Sequence, residues 1–143
     1  MTPVVKKSIM SNIIQVVNVD KNLKTLKKGV HASDLDQLLS SRGPFTFFAP
    51  SDIAFDKLAK GMMDNLLEPQ NRAKLKDLVN NHIVNGKIKY QDLKDGDTLK
   101  AVNGKEIHIQ VKNGMASIGD IPLLPRDAKI TNGVMHLMDT VIL

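Results

Sequence analysis

The chain has 143 residues, 42% of them apolar, no cysteine, and 20 Lys plus Arg against 15 Asp plus Glu, for a formal charge of +5. Disulfides, thiolate metal sites and cysteine nucleophiles are therefore excluded, while the length suits one domain spanning 1–143 that buries roughly 70% of the surface its unfolded chain exposes. The 17 lysines and 3 arginines form no run longer than a pair, and one Tyr with four clustered Phe gives no platform for stacking bases, so nucleic acid is not an expected partner.

Residues 1–10 read as a flexible or added lead-in without the long apolar core of a signal peptide, and no apolar run approaches the ~20 residues of a membrane span. Helical spacing follows: Ile9, Ile13, Val16 and Val17 form one stripe and Leu23, Leu26 and Val30 a second, with Asp20 a cap between them. Ser33-Asp34-Leu35-Asp36 resembles a capping box with Asp in the reaching-back position, Leu35, Leu38 and Leu39 its buried face and Gly43 its stop.

All four phenylalanines lie between Gly43 and Phe55. Phe45 to Ala49 predicts a strand covered on both sides, with Phe45 and Phe47 on one face and Phe48 on the other. Pro50 stops the ladder, Ser51 is the N-cap of a short helix, Asp52 suits its first turn, and Ile53, Phe55 and Leu58 should be buried. A second helical block opens at Pro69, carries a stripe of Leu75, Leu78, Val79, His82 and Ile83, and ends at Asn85-Gly86.

From Lys87 the period changes to 2. Thr98 to Val102 and Lys105 to Val111 flank Asn103-Gly104, a two-residue hairpin signal, and Ile107, Ile109 and Val111 alternate with polar residues. Asn113-Gly114 offers a further turn into Met115 to Ile118, Pro122 and Pro125 bracket a connection or edge segment, and Val134 to Leu143 read as the last strand. Helices first and strands later predict an α+β domain.

Chemistry-bearing residues are dispersed. His31 falls in a connection, His82 at a helix end, and His108 and His136 on strands, without the local pair of a zincin helix, so neither a metal nor another cofactor is expected. A triad of Ser51, His82 and Asp139 lacks a nucleophile elbow, the glycines are spaced as turn punctuation, and Asp52 and Asp139 each have an ordinary structural use, so no catalytic residue is assigned. His82 and His136 read as buried rings with hydrogen-bond partners. Met135 and Met138 point to opposite faces of the last strand, and Met62-Met63 is a candidate partner patch.

Thr46-Phe47-Phe48-Ala49-Pro50-Ser51-Asp52-Ile53-Ala54-Phe55 resembles the first signature box of the fasciclin-like domain family, and Asn132-Gly133-Val134-Met135-His136-Leu137-Met138-Asp139 resembles the second. Between them, Asn81-His82 stands where the family has a Tyr-His pair. The resemblance runs from about Ser11 to Leu143, in the family's order. It implies a wedge of two packed β-sheets with N-terminal and central helices. Thr46, Phe47, Ala49, Pro50, Ser51, Asp52, Phe55, His82, Asn132, Gly133, His136 and Asp139 would then organise the fold.

The same resemblance implies a non-enzymatic adhesion or protein-interaction module with a protein or glycan partner, monomeric or weakly self-associating, at the cell envelope or secreted. A cytoplasmic accessory subunit is the alternative, and a His-based hydrolase or metal enzyme the third reading. Asn81, replacing the Tyr used for integrin contact in some animal members, and Asp127, followed by Ala128 in place of Ile, are further candidate contact residues, and with both departures integrin binding is not assumed. The lone cysteine-free, lysine-rich copy looks like a prokaryotic member.

Overall fold

The computed structural model describes residues 11–125 and 130–143. The expectations for Ile9, the 1–10 lead-in, Asp127 and Ala128 lie outside them. In chain order the elements are α1 (Ile13–Val19), α2 (Lys24–Ala32), α3 (Asp36–Ser40), β1 (Phe45–Pro50), α4 (Asp52–Asp56), α5 (Met62–Leu66), α6 (Arg72–Asn80), β2 (Ile83–Asn85), β3 (Thr98–Lys100), β4 (Glu106–Lys112), β5 (Met115–Ile118), β6 (Ile121–Pro122), β7 (Leu124–Pro125) and β8 (Gly133–Met138).

One sheet has the order β2-β1-β8-β7 and the other β3-β4-β5-β6. β1 lies in the middle of the first sheet, parallel to β8 from Phe45↔Gly133 to Pro50↔Met138 and antiparallel to β2. Every residue of β1 is buried. Phe45, Phe47 and Ala49 enter a core shared with α1, α2, α3 and α6, while Phe48 enters a second core with Ile107, Ile109, Ala116 and Ile118 of the other sheet. The first sheet is thus the middle layer, as its aromatic residues on both faces predict, and the architecture is α+β. Met135 and Met138 divide between the same two cores.

Gly133 is required by this pairing. The strands run so close at their start that a side-chain carbon there would collide with the Phe45 carbonyl.

Several local expectations give way to tertiary packing. Pro50 is the last paired residue of β1, not the first outside it, and Ser51 takes the N-cap position of α4 without a side-chain cap bond. Ile53 is 62% exposed, because the five-residue α4 turns only Ala54 and Phe55 into the core. No capping box opens α3: Leu35 is its N-cap, and the buried Ser33 hydroxyl donates back to the Gly29 and Val30 carbonyls. Asp20 is a cap between the two helices as expected, standing at the end of α1 and accepting the Asn22 N–H at 2.8 Å, whereas His31 lies within α2 and not in a connection.

The stripe through Leu75, Leu78 and Val79 leaves the helix at Asn80, so His82 follows it and Ile83 opens β2 opposite Phe47. A strand of three residues is too short to announce its own period. Asn103-Gly104 belongs to a three-residue loop: Ala101 donates to the Lys105 carbonyl and Gly104 to the Ala101 carbonyl. The two-residue turn is Asn113-Gly114, both with positive φ, closing the pair Lys112↔Met115. β8 stops at Met138, and Val141 and Ile142 continue as irregular but buried chain.

Candidate functional site

Five box and near-box polar residues are buried and a sixth, Asp52, is half-buried, and each is fixed by backbone far away in sequence. Asn132 Oδ1 accepts the Ile13 N–H at 2.9 Å, while its Nδ2 donates to the Leu39 and Ser41 carbonyls at 2.8 and 2.7 Å. The Asn132 carbonyl also receives the Phe45 N–H at 2.9 Å. Thr46 Oγ1 donates to the Gly86 carbonyl and accepts the Ile88 N–H, holding the chain after β2 against β1. Asp52 Oδ1 accepts the Thr25 N–H in the first turn of α2 at 2.8 Å.

His82 is enclosed, with Nδ1 donating to the Leu78 carbonyl and Nε2 accepting the Ile142 N–H, each at 2.9 Å. Both nitrogens are used, so the tautomer is fixed. Burial lowers its pKa from 6.5 to about 4, against the smaller opposing effect of the backbone carbonyls. His136 Nε2 donates to the Ile88 carbonyl at 2.8 Å, its ring lies against Phe48 and Tyr90, and burial lowers its pKa as well. Its Nδ1 has no partner among the described residues.

Asn81 is also turned inward. Its Nδ2 donates to the Ile142 carbonyl and its Oδ1 accepts from Asn103 Nδ2, so this candidate contact residue is occupied within the fold. Met62 and Met63 are half-buried at the start of α5, with Met63 packed on the helical core near Gly29.

Ser51, His82 and Asp139 do not form a triad, since both His82 nitrogens are committed to backbone and the Asp139 carboxylate lies 3.6 Å from Lys57 Nζ. His108 lies exposed on β4 beside Thr98, apart from the enclosed His82. No group of three or more His, Asp or Glu side chains able to hold a metal ion occurs among the described residues. In the same residues no helix is long and apolar enough to cross a membrane.

The ends of the two signature segments do meet at the surface. Ser51, Asp52 and Ile53 from the first, Leu137, Met138 and Asp139 from the second, and Asn22, Pro122 and Leu124 line an open, mainly apolar groove of about 480 Å³. Ile53 and Leu124 are 62% and 58% exposed, two large aliphatic side chains left in water on one concavity. Asp52 and Asp139 stand at its rim, one engaged with Thr25 and the other with Lys57. Periodicity missed this site because it assigns Ile53 to a buried face. The available signal was the Pro122-Leu123-Leu124-Pro125 bracket, whose prolines limit how Leu124 can be covered by further pairing.

Comparison with known proteins matches residues 21–143 to the fasciclin domain. Protein sll1483 of Synechocystis sp. is 35% identical over 131 residues, covering 92% of this chain and 72% of the relative. The uncharacterized protein sll1735 of the same organism is 37% identical over 134 residues, 94% of this chain and 98% of its own length. The transforming growth factor-beta-induced protein ig-h3 of Sus scrofa is 30% identical over 138 residues, which make up 20% of that longer protein. A FAS1 domain pair from the insect cell adhesion molecule fasciclin I superposes with a TM-score of 0.78 at 19% identity, and the chain spans 51% of that pair.

Proposed function

The chain belongs to the fasciclin-domain family, and from that premise we propose that it is a non-enzymatic binding module whose docking surface is the groove between its two signature segments. The observation carrying this reading is the convergence of exposed Ile53 and Leu124 on one apolar depression. Contiguous apolar surface of this kind is where an anchor residue of a partner is desolvated. The occupant is an extended protein segment bearing an aliphatic or aromatic side chain next to a basic one. The apolar side chain fills the depression and the basic one meets Asp52 and Asp139, two carboxylates on a chain whose net charge is +5.

In this reading Thr46, Asn132, His82 and Asp52 hold the frame that brings the groove walls together. The module acts at the cell envelope or outside the cell, a role supported by analogy with fasciclin I, a cell adhesion molecule. A photo-crosslinking residue placed at 53 or 124 should capture the same partner from envelope fractions of the source organism, and one at Met115, exposed on the other sheet, should not. Equal capture from all three positions would remove the groove as the docking surface, and a partner found only in the soluble cytoplasmic fraction would remove the envelope assignment.

A further inference from the structure

On the surface next to the groove, across the Lys21-Asn22 turn, lies an open furrow of about 620 Å³ lined by Asn18, Val19 and Asp20 from the end of α1 and by Lys21, Lys24, Lys27, Lys28 and His31. We propose that this furrow binds a linear anionic polysaccharide, a chain of uronate or sulfated sugars, as a second surface independent of the groove.

The lysines are concentrated by helix geometry. Lys24, Lys27, Lys28 and His31 fall at the i, i+3, i+4 and i+7 positions of one face of α2, with Lys24 and Lys28 separated by about 6 Å along its axis. All four lysines are exposed, and none forms an ion pair among the described residues. Among the lining residues four ammonium groups stand with one carboxylate, Asp20, and the Asp36 carboxylate lies 3.3 Å from the His31 ring. The opposite face of the helix, Leu26 and Val30, is buried in the core, so the basic face is held rigidly outward. A row of like charges repels itself, and a polyanion laid along it relieves that repulsion at several points at once.

The surroundings select the class of polyanion. The four Phe rings are all buried in the two cores, and the one ring lining the furrow is His31, whose nitrogens meet Asn18 and Asp36, so the furrow lacks the succession of aromatic platforms on which a single-stranded nucleic acid stacks its bases. An anionic bilayer needs an apolar face to insert, but the apolar face of α2 is spent on the core and only Val19, 78% exposed, is offered here. A concave furrow suits a chain one residue wide better than a flat sheet of headgroups. Val19 and the lysine methylenes give the sugar rings an apolar floor, while the ammonium groups, as compact hydrated charges, meet carboxylates or sulfates spaced along the chain.

The test is titration of the full chain with polygalacturonate and with dextran sulfate, using neutral dextran, single-stranded DNA and phosphatidylserine vesicles as comparison probes. The double variant Lys24→Gln/Lys28→Gln should weaken polysaccharide binding roughly tenfold near 0.1 M salt, while Lys100→Gln/Lys112→Gln, the same charge change on exposed strand positions, should shift it less than about twofold. Far-ultraviolet circular dichroism checks that both variants remain folded. Equal weakening by the two pairs would mean diffuse attraction by net charge and would overturn the furrow. The proposal fails equally if neither anionic polysaccharide binds above neutral dextran, or if DNA or vesicles bind more tightly than both. None of these outcomes touches the groove, whose crosslinking test uses different residues.

Discussion

Asp52 caps a helix to which it does not belong: its Oδ1 accepts the Thr25 N–H at 2.8 Å, while its own N–H donates to the Asn22 carbonyl at 2.8 Å. Helix α2 has Leu23 at its N-cap and no cap of its own, so the first signature segment supplies one across 27 residues of sequence. The same carboxylate stands at the rim of the groove.

Replacing Asp52 by Ala should therefore cost about 1 to 2 kcal/mol, the range for a lost N-cap, with Asp52→Asn recovering most of it because an amide oxygen can accept the same N–H. Urea unfolding of the two variants checks this. Equal losses would show that charge, not the capping bond, carries the contribution.

Asn132→Ala removes the side chain that binds Ile13, Leu39 and Ser41 together under the start of β8. Leaving a buried N–H and two carbonyls short of partners should cost about 3 kcal/mol or more. Isosteric Asn132→Asp should be no better, since a carboxylate cannot donate to the two carbonyls. A thermal melt that moves by only a degree or so in either variant would contradict this role.

Phe47 is fully enclosed between the helices and the first sheet, and Phe47→Ala should cost about 3 to 5 kcal/mol. Ile53→Ser, in the same segment but at an exposed position, should cost less than about 0.5 kcal/mol. Chemical denaturation of the pair measures the contrast. A large loss at Ile53 would mean that its side chain supports the core rather than the groove.

The folded His82 has a pKa near 4, below its ordinary 6.5, so the native chain keeps it neutral while the unfolded chain takes up the proton first. Its contribution is complete above about pH 6.5, declines as pH falls through the interval from 6.5 to about 4, and is gone below that. The total is about 3 kcal/mol. Protonation turns Nε2 from acceptor to donor against the Ile142 N–H, so the C-terminal segment should loosen first. His136, also lowered by burial, adds in the same direction. Stability measured at pH 7.5 and 5 should differ clearly in the parent chain and much less in His82→Gln; parallel pH curves would refute the assignment.

Phe45-Thr46-Phe47-Phe48 was legible from sequence because aromatic residues at adjacent positions of a period-2 element must face opposite ways, and burying both needs cover on both sides. The alternation of Ile107, Ile109 and Val111 was readable for the same local reason, with Ile107 and Ile109 buried and Val111 half-exposed. Ordered signature segments pointed to the fold family, which their pairing as β1 and β8 matches. Tertiary structure alone decided the rest. The stripe through His82 and Ile83 looks helical in one dimension, yet pairing with Phe47 makes Ile83 a strand residue. Ser51 has the right residue type and position to cap α4 but makes no side-chain cap bond, while Asp52 caps α2 instead, because the start of that helix arrives beside it. The groove and the lysine furrow depend on which side chains remain in water once every layer is packed. Periodicity and turn chemistry act over a few residues and are written along the chain. Surfaces and long-range hydrogen bonds are products of closure, and their partners stand 27 to 119 residues apart.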